Sequence, residues 1–215
     1  MSAAISWTAD VSLPLDFAVR VLERDGLRVR PFDIHAEGDG SVRALGLDAE
    51  SWTAWVRALV GGERVLTSAA AALEIPLRPS IAADRLADKV RDYEDPWTKF
   101  PDIKAVRDRL ADLWSENRAE GMRWRHAYMM TRQHDLLAPE HHRRLSRALQ
   151  GLGGVPHLSV LVVRYSSPVV MVFPPDVCVV GRVEHDRGGR AYSEQIETGA
   201  RALAAQDAGA DRKAP

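Results

Sequence analysis

The sequence predicts an α+β chain. A mostly helical part built around one long central helix runs from about residue 14 to 150. A small antiparallel β meander over about 156–183 and a C-terminal helix follow. Two observations carry this prediction. Apolar residues between Ile103 and Tyr128 recur every three or four positions, the spacing of a single helix face. Beyond Pro156 that period gives way to three β-branched runs, LSVLVVRY, PVVMVF and VCVVGRV, separated by SSP and PPD. With 215 residues and 46% hydrophobic content, the chain is long enough to bury a sizeable core. Residues 1–206 read as a single domain, and 207–215 as a disordered tail.

The first helix starts near Pro14, which suits a first turn, carries Phe17, Val21 and Leu22 on one side, and stops at Gly26. LRVRPF reads as a short strand, and residues 33–51, rich in Gly and Asp, as a loop with a brief strand at 42–45. Asp48 or Ser51 then caps a helix through WTAWVRALV that ends at Gly61–Gly62. Trp52 and Trp55 share a face of it with Leu59, fit for a core or a partner groove. A short helix over 66–74 and another in IAADRLADKVRDY complete the region before Pro96.

The long helix is predicted over about 102–133, roughly 45 Å at 1.5 Å per residue. Ile103, Val106, Leu110, Leu113, Asn117, Gly121, Trp124 and Tyr128 lie along one line. Met122, His126, Met129 and Met130 form a second apolar face, so the helix should be buried between neighbours, with Gly121 as its weak point. Pro139 breaks the pattern and opens a new helix that runs to Gln150. In the β region the middle run, PVVMVF, is apolar throughout, which suits a strand covered on both faces. YSEQIETGARALAAQ supplies the last helix.

Composition narrows the function. Lys plus Arg (29) nearly cancels Asp plus Glu (30), which argues against a general affinity for nucleic acid or anionic lipid. Arginine stands for lysine nearly everywhere, the mark of a GC-rich bacterial coding bias. The one cysteine, Cys178, rules out an internal disulfide and any Cys-based zinc site, and its apolar strand makes it a small hydrophobe. The N-terminus lacks a signal-peptide pattern and no run is apolar enough to span a membrane, so a cytoplasmic location is expected. GxxxxGK[ST], GxGxxG and GxSxG are all absent, and no cofactor is expected.

Three groups of residues could carry a site. RQHDLLAPEHHRR gathers His134, His141 and His142, and His126, His134 and one of the adjacent pair His141 and His142 could ligate a metal, since neutral imidazoles converging on one point are what a metal-assisted hydrolase needs. Pro139 divides that cluster, however. On the second helix both His141 and His142 flank the Leu145 stripe, about 40° and 60° from it, while Arg143 and Arg147 face away. Asp33, His35, Glu37 and Asp39, at alternate positions of a Gly-rich stretch, form a carboxylate-rich binding loop. Arg123, Arg125, Arg143 and Arg147 make the chain's one charge asymmetry, a surface for an anion, an acidic partner or nucleic acid. The leading expectation is an interaction or accessory module that binds another protein and has no chemistry of its own. The alternatives are an enzyme using the histidine corner or the Asp33–Asp39 loop, and an anion or nucleic-acid binder through the arginines. Nucleic acid and membrane are not expected as partners, and self-association stays open.

Overall fold

A computed structural model describes residues 6–30, 45–72, 96–100, 104–134, 139–150, 157–165, 168–182 and 190–211. The expected short helix in IAADRLADKVRDY and the Asp33–Asp39 loop lie outside the described residues. The described elements, in chain order, are β1 (Ser6–Val11), α1 (Leu13–Asp25), α2 (Ala49–Ala72), a 3₁₀ turn (Pro96–Lys99), α3 (Lys104–His134), α4 (Pro139–Gln150), β2 (His157–Arg164), β3 (Val170–Phe173), β4 (Val177–Arg182) and α5 (Arg190–Asp211). The chain is α+β, and no described helix is long and apolar enough to cross a membrane.

Local chemistry sets the helix ends. The Ser12 hydroxyl accepts from Leu15 N–H and caps α1, Pro14 falls in its first turn, and Gly26 ends it at φ 60°, a left-handed value that glycine adopts without strain. Asp48 caps α2 by accepting from the backbone N–H and the hydroxyl of Ser51. The Ser51 N–H holds the Asp48 carboxyl below its usual range. The expected stop at Gly61–Gly62 is overridden. The helix continues to Ala72 and takes in much of the separate helix expected over 66–74, because Trp52, Trp55, Val56, Leu59 and Val60 anchor it in the core. α3 runs unbroken for 31 residues past Gly121, and α4 begins at Pro139 as the sequence predicts. α5 extends to Asp211, past the expected start of the tail at 207.

The sheet departs from the expected meander in two ways. It is four-stranded and mixed, in the order β1-β2-β4-β3. β1 pairs parallel with β2 (Ser6 opposite His157), β2 parallel with β4 (Val160 opposite Cys178), and only β3 runs antiparallel, against β4. A peptide bond at Pro174–Pro175 in the β3–β4 turn is cis. The middle run is therefore an edge strand, and β3 is half-buried along its length. β2 and β4 are the strands covered on both faces.

Alternation along those strands divides the core in two. Leu161, Val163, Val177 and Val179 face a cluster built from α1, α2 and the first half of α3 (Leu110, Leu113, Trp114). Leu158, Val160, Val162, Cys178 and Val180 face a second cluster, made by α4 (Leu145, Leu149), α5 (Ile196, Ala200, Leu203) and Tyr128 from the second half of α3. So α3 belongs to both sides. It passes the end of the sheet at Gly121, where an added Cβ would stand 3.4 Å from Leu13 and 3.7 Å from the Arg164 guanidinium. The second apolar face expected on α3 is not buried at Met122, which is 48% exposed, or at His126, which is also exposed.

A candidate site at the carboxyl end of the parallel strands

β1 leads into α1 on one face of the sheet, and β4 leads, through residues 183–189, to α5 on the other. β2 stands between those two strands, and the carboxyl ends of the parallel strands are the end of the sheet at which α/β sheets hold ligands. Two arginines stand at that end. Arg164 ends β2 and Arg182 ends β4, and they are register partners. Both close otherwise apolar runs, and by alternation both leave the sheet on the same side.

Arg164 is 9% exposed. Its Nε and Nη2 donate to one carboxylate oxygen of Asp16 on α1, at 2.9 and 2.7 Å, and its backbone N–H donates to the other oxygen at 2.7 Å. Nη1 donates to Glu120 of α3 at 2.7 Å, and the guanidinium lies 5.6 Å from the centre of the Trp124 ring. Burial alone would lower the Arg164 pKa. The hydrogen bonds and charge of Asp16, then of Glu120, outweigh it and hold the group above its ordinary value. The two carboxylates are not equivalent. Asp16 is almost fully buried, so its loss would strand a buried cation at a cost of about 3–5 kcal/mol. Glu120 is 60% exposed, and its pair is worth at most about 1 kcal/mol in water. The cluster joins α1, β2 and α3 and leaves Arg164 with its donors engaged.

Beside it, between α1 and α3, a cleft is lined by Asp16, Arg20, Trp114, Asn117, Arg118 and Arg164. Its empty space is about 230 Å³, part of it open to solvent. The Trp114 indole N–H there has no hydrogen-bond acceptor among the described residues, and its ring lies beside those of Phe17 at 5.1 Å and Trp97 at 6.4 Å. Glu23 pairs with Arg20 at 2.9 Å, yet burial raises its pKa against the lowering pull of Arg20. The Ser12 hydroxyl donates to Glu63 of α2, which ties a second helix to the start of α1. These contacts brace the elements around the strand ends.

The surroundings of Arg182 differ. Its guanidinium lies 5.0 Å from the centre of the Tyr128 ring. The Tyr128 hydroxyl is 3.3 Å from that of Tyr192 on α5. Among the described residues no carboxylate pairs with Arg182, which is half-buried.

Comparison with protein-family models, curated proteins and solved structures finds no match.

The expected site residues are described in part. Arg123 is exposed and Arg125 half-buried on α3; Arg143 and Arg147 are exposed on α4, opposite buried Leu145 and Leu149. α4 packs chiefly on α5. His126 points to solvent, while the side chains of His134, His141 and His142 lie outside the described residues. Among the described residues no group of three or more His, Cys, Asp or Glu converges as metal ligands. Cys178 is fully buried under α5, and burial pushes its thiol up to about 12, which makes it a poor nucleophile at neutral pH. Sequence reasoning missed Asp16, Arg164 and Arg182. The available signal was a lone arginine closing each of two apolar strands.

Proposed function

We propose that this chain is a bacterial, cytosolic interaction module, which binds a protein partner and performs no bond-making chemistry of its own. The observation that carries the reading is the outer face of α3. Met122, the exposed large hydrophobic residue among those described, stands among Arg118, Arg123 and His126, all exposed, and half-buried Arg125. Arg118 and His126 lie one turn to either side of Met122 on the same helical ridge. An apolar knob ringed by arginines is the residue mix enriched at protein interfaces, where Met and Arg are over-represented. The partner that fits it presents a small apolar socket with an acidic rim. The carboxyl-end cluster favours the same reading, since its Arg164 is held by Asp16 and Glu120.

Met122→Asp tests the proposal. Being exposed, the position should tolerate the change within about 0.5 kcal/mol of stability. Wild type immobilised in extract of its native cell should retain one stoichiometric protein that Met122→Asp and Arg123→Glu each lose, with all three equally folded by circular dichroism. Retention of the same proteins by wild type and Met122→Asp would sink the reading. So would retention of none by a wild type that is also monomeric by light scattering.

A further inference from the structure

The two strand-end arginines sit side by side and are treated differently. Arg164 is neutralised by Asp16 and Glu120. Arg182 rests on the Tyr128 ring with no carboxylate partner among the described residues. We infer that Arg182 is a binding site for a single carboxylate, at the carboxyl end of β4 and bordered by the hydroxyls of Tyr128 and Tyr192. Three observations support it. A half-buried guanidinium has lost part of its water, so a charge-assisted partner recovers more there than at an exposed arginine. The guanidinium carbon lies over the Tyr128 ring, 5.0 Å from its centre, a contact that uses no N–H donor, and a guanidinium's planar fork of donors matches a carboxylate with two parallel hydrogen bonds. The position lies at the carboxyl ends of the parallel strands β2 and β4, the end at which parallel sheets hold ligands.

The charge count selects the ligand. A phosphate dianion calls for more than one available cation, and the neighbouring arginine is already shared by two carboxylates. One guanidinium with no carboxylate partner among the described residues suits one monoanion. The carboxylate can come from a small molecule or from an aspartate or glutamate side chain of another protein. The inference is independent of the α3 surface: Met122→Asp should leave carboxylate binding unchanged, so either proposal can fail alone.

The experiment follows arginine Nε–H resonances of the full chain, labelled with nitrogen-15, during titration with sodium acetate against sodium chloride at constant ionic strength. One arginine signal, absent from Arg182→Lys, should shift saturably with acetate at a Kd of about 10 mM or tighter, about −3 kcal/mol, and should not respond to chloride. Arg182→Lys keeps the charge but loses the fork and should bind acetate at least tenfold more weakly, as followed by the Tyr128 ring signals. Tyr128→Phe keeps the stacked ring and should weaken binding only severalfold. A peptide with one glutamate binding more tightly than acetate, while its glutamine counterpart does not bind, would identify a protein side chain as the source. Equal affinity for acetate and the peptide would identify a small carboxylate. A linear response shared by acetate and chloride, equal binding by Arg182→Lys, or tighter binding of inorganic phosphate would each overturn the inference.

Discussion

The two faces of one sheet are packed by opposite means. On the side of α1 and α2 the filling is aromatic. Phe17 meets Trp55 and Trp114 edge-on at 5.9 and 5.1 Å, and Trp55 meets Phe100 at 5.6 Å. Two indoles there also serve as polar pegs: Trp52 N–H donates to the Ala18 carbonyl and Trp55 N–H to that of Pro96. On the side of α5 the filling is aliphatic and small, and the helix lies against the strands. A Cβ added at Gly199 would fall 2.9 Å from the Cys178 Cβ and 3.3 Å from Val170 Cγ1. The polar peg on that side is Gln195, whose side-chain oxygen accepts from the N–H groups of Val169 and Gly181 and whose amide donates to the Gly181 carbonyl. Large rings can fill a gap between layers that stand apart. Where the layers touch, the absence of a side chain sets their distance.

That contrast yields graded expectations. Trp55→Ala should cost the most, about 3–5 kcal/mol in urea unfolding, because it opens a ring-sized cavity and strands the Pro96 carbonyl. A loss under 1 kcal/mol would mean that the aromatic side can collapse and is not set by its rings. Gly199→Ala should cost about 1–3 kcal/mol, although alanine favours a helix, since the clashing Cys178 Cβ is fixed to its strand and cannot turn away. Gly61→Ala, where an added Cβ meets nothing within 4 Å, should instead stabilise by about 0.5–1 kcal/mol. If the two alanines behaved alike, close approach would not be the deciding factor. The smallest effect concerns pH. The Cys178 thiol titrates near 9.0 when free and is pushed up to about 12 by burial. A raised folded pKa contributes stability that is complete below pH 9 and is lost as pH rises toward 12. Between pH 9 and 10 wild type should lose about 1 kcal/mol more than Cys178→Ala, by parallel urea titrations. Equal slopes would show that the thiol is not sealed beneath α5.

Much of the architecture was legible because its signals are local. Pro14 and Gly26 bracket α1, Pro139 starts α4, and the stripe from Val106 to Tyr128 gives α3. Misreadings arose where distant contacts decide. The Gly61–Gly62 pair reads as a helix stop, but Leu59 and Val60 pack into the core and carry α2 through it. β1, a short segment with polar residues inside it, becomes a strand only because β2 is there to pair with it. The all-apolar β3 looks central and lies at an edge, since β4 inserts between it and β2. The candidate site was illegible for the same reason. Asp16 and Arg164 stand 148 residues apart, and nothing near either one announces the other. The histidines and arginines that crowd together in sequence are spread over α3 and α4.

The pairing of Ser6 with His157 sets an order of events during synthesis. β1 leaves the ribosome well before its partner β2, which follows only after the intervening helices have been made. At about 5–20 residues per second that interval is roughly 10–30 s. Throughout it α1 carries the Asp16 carboxylate with no Arg164 to receive it, and the aromatic side has no sheet to rest on. Closing so long a loop comes late and slowly. The nascent chain therefore exposes its tryptophans before it can bury them, and the ion pair at the strand ends is among the last contacts to form.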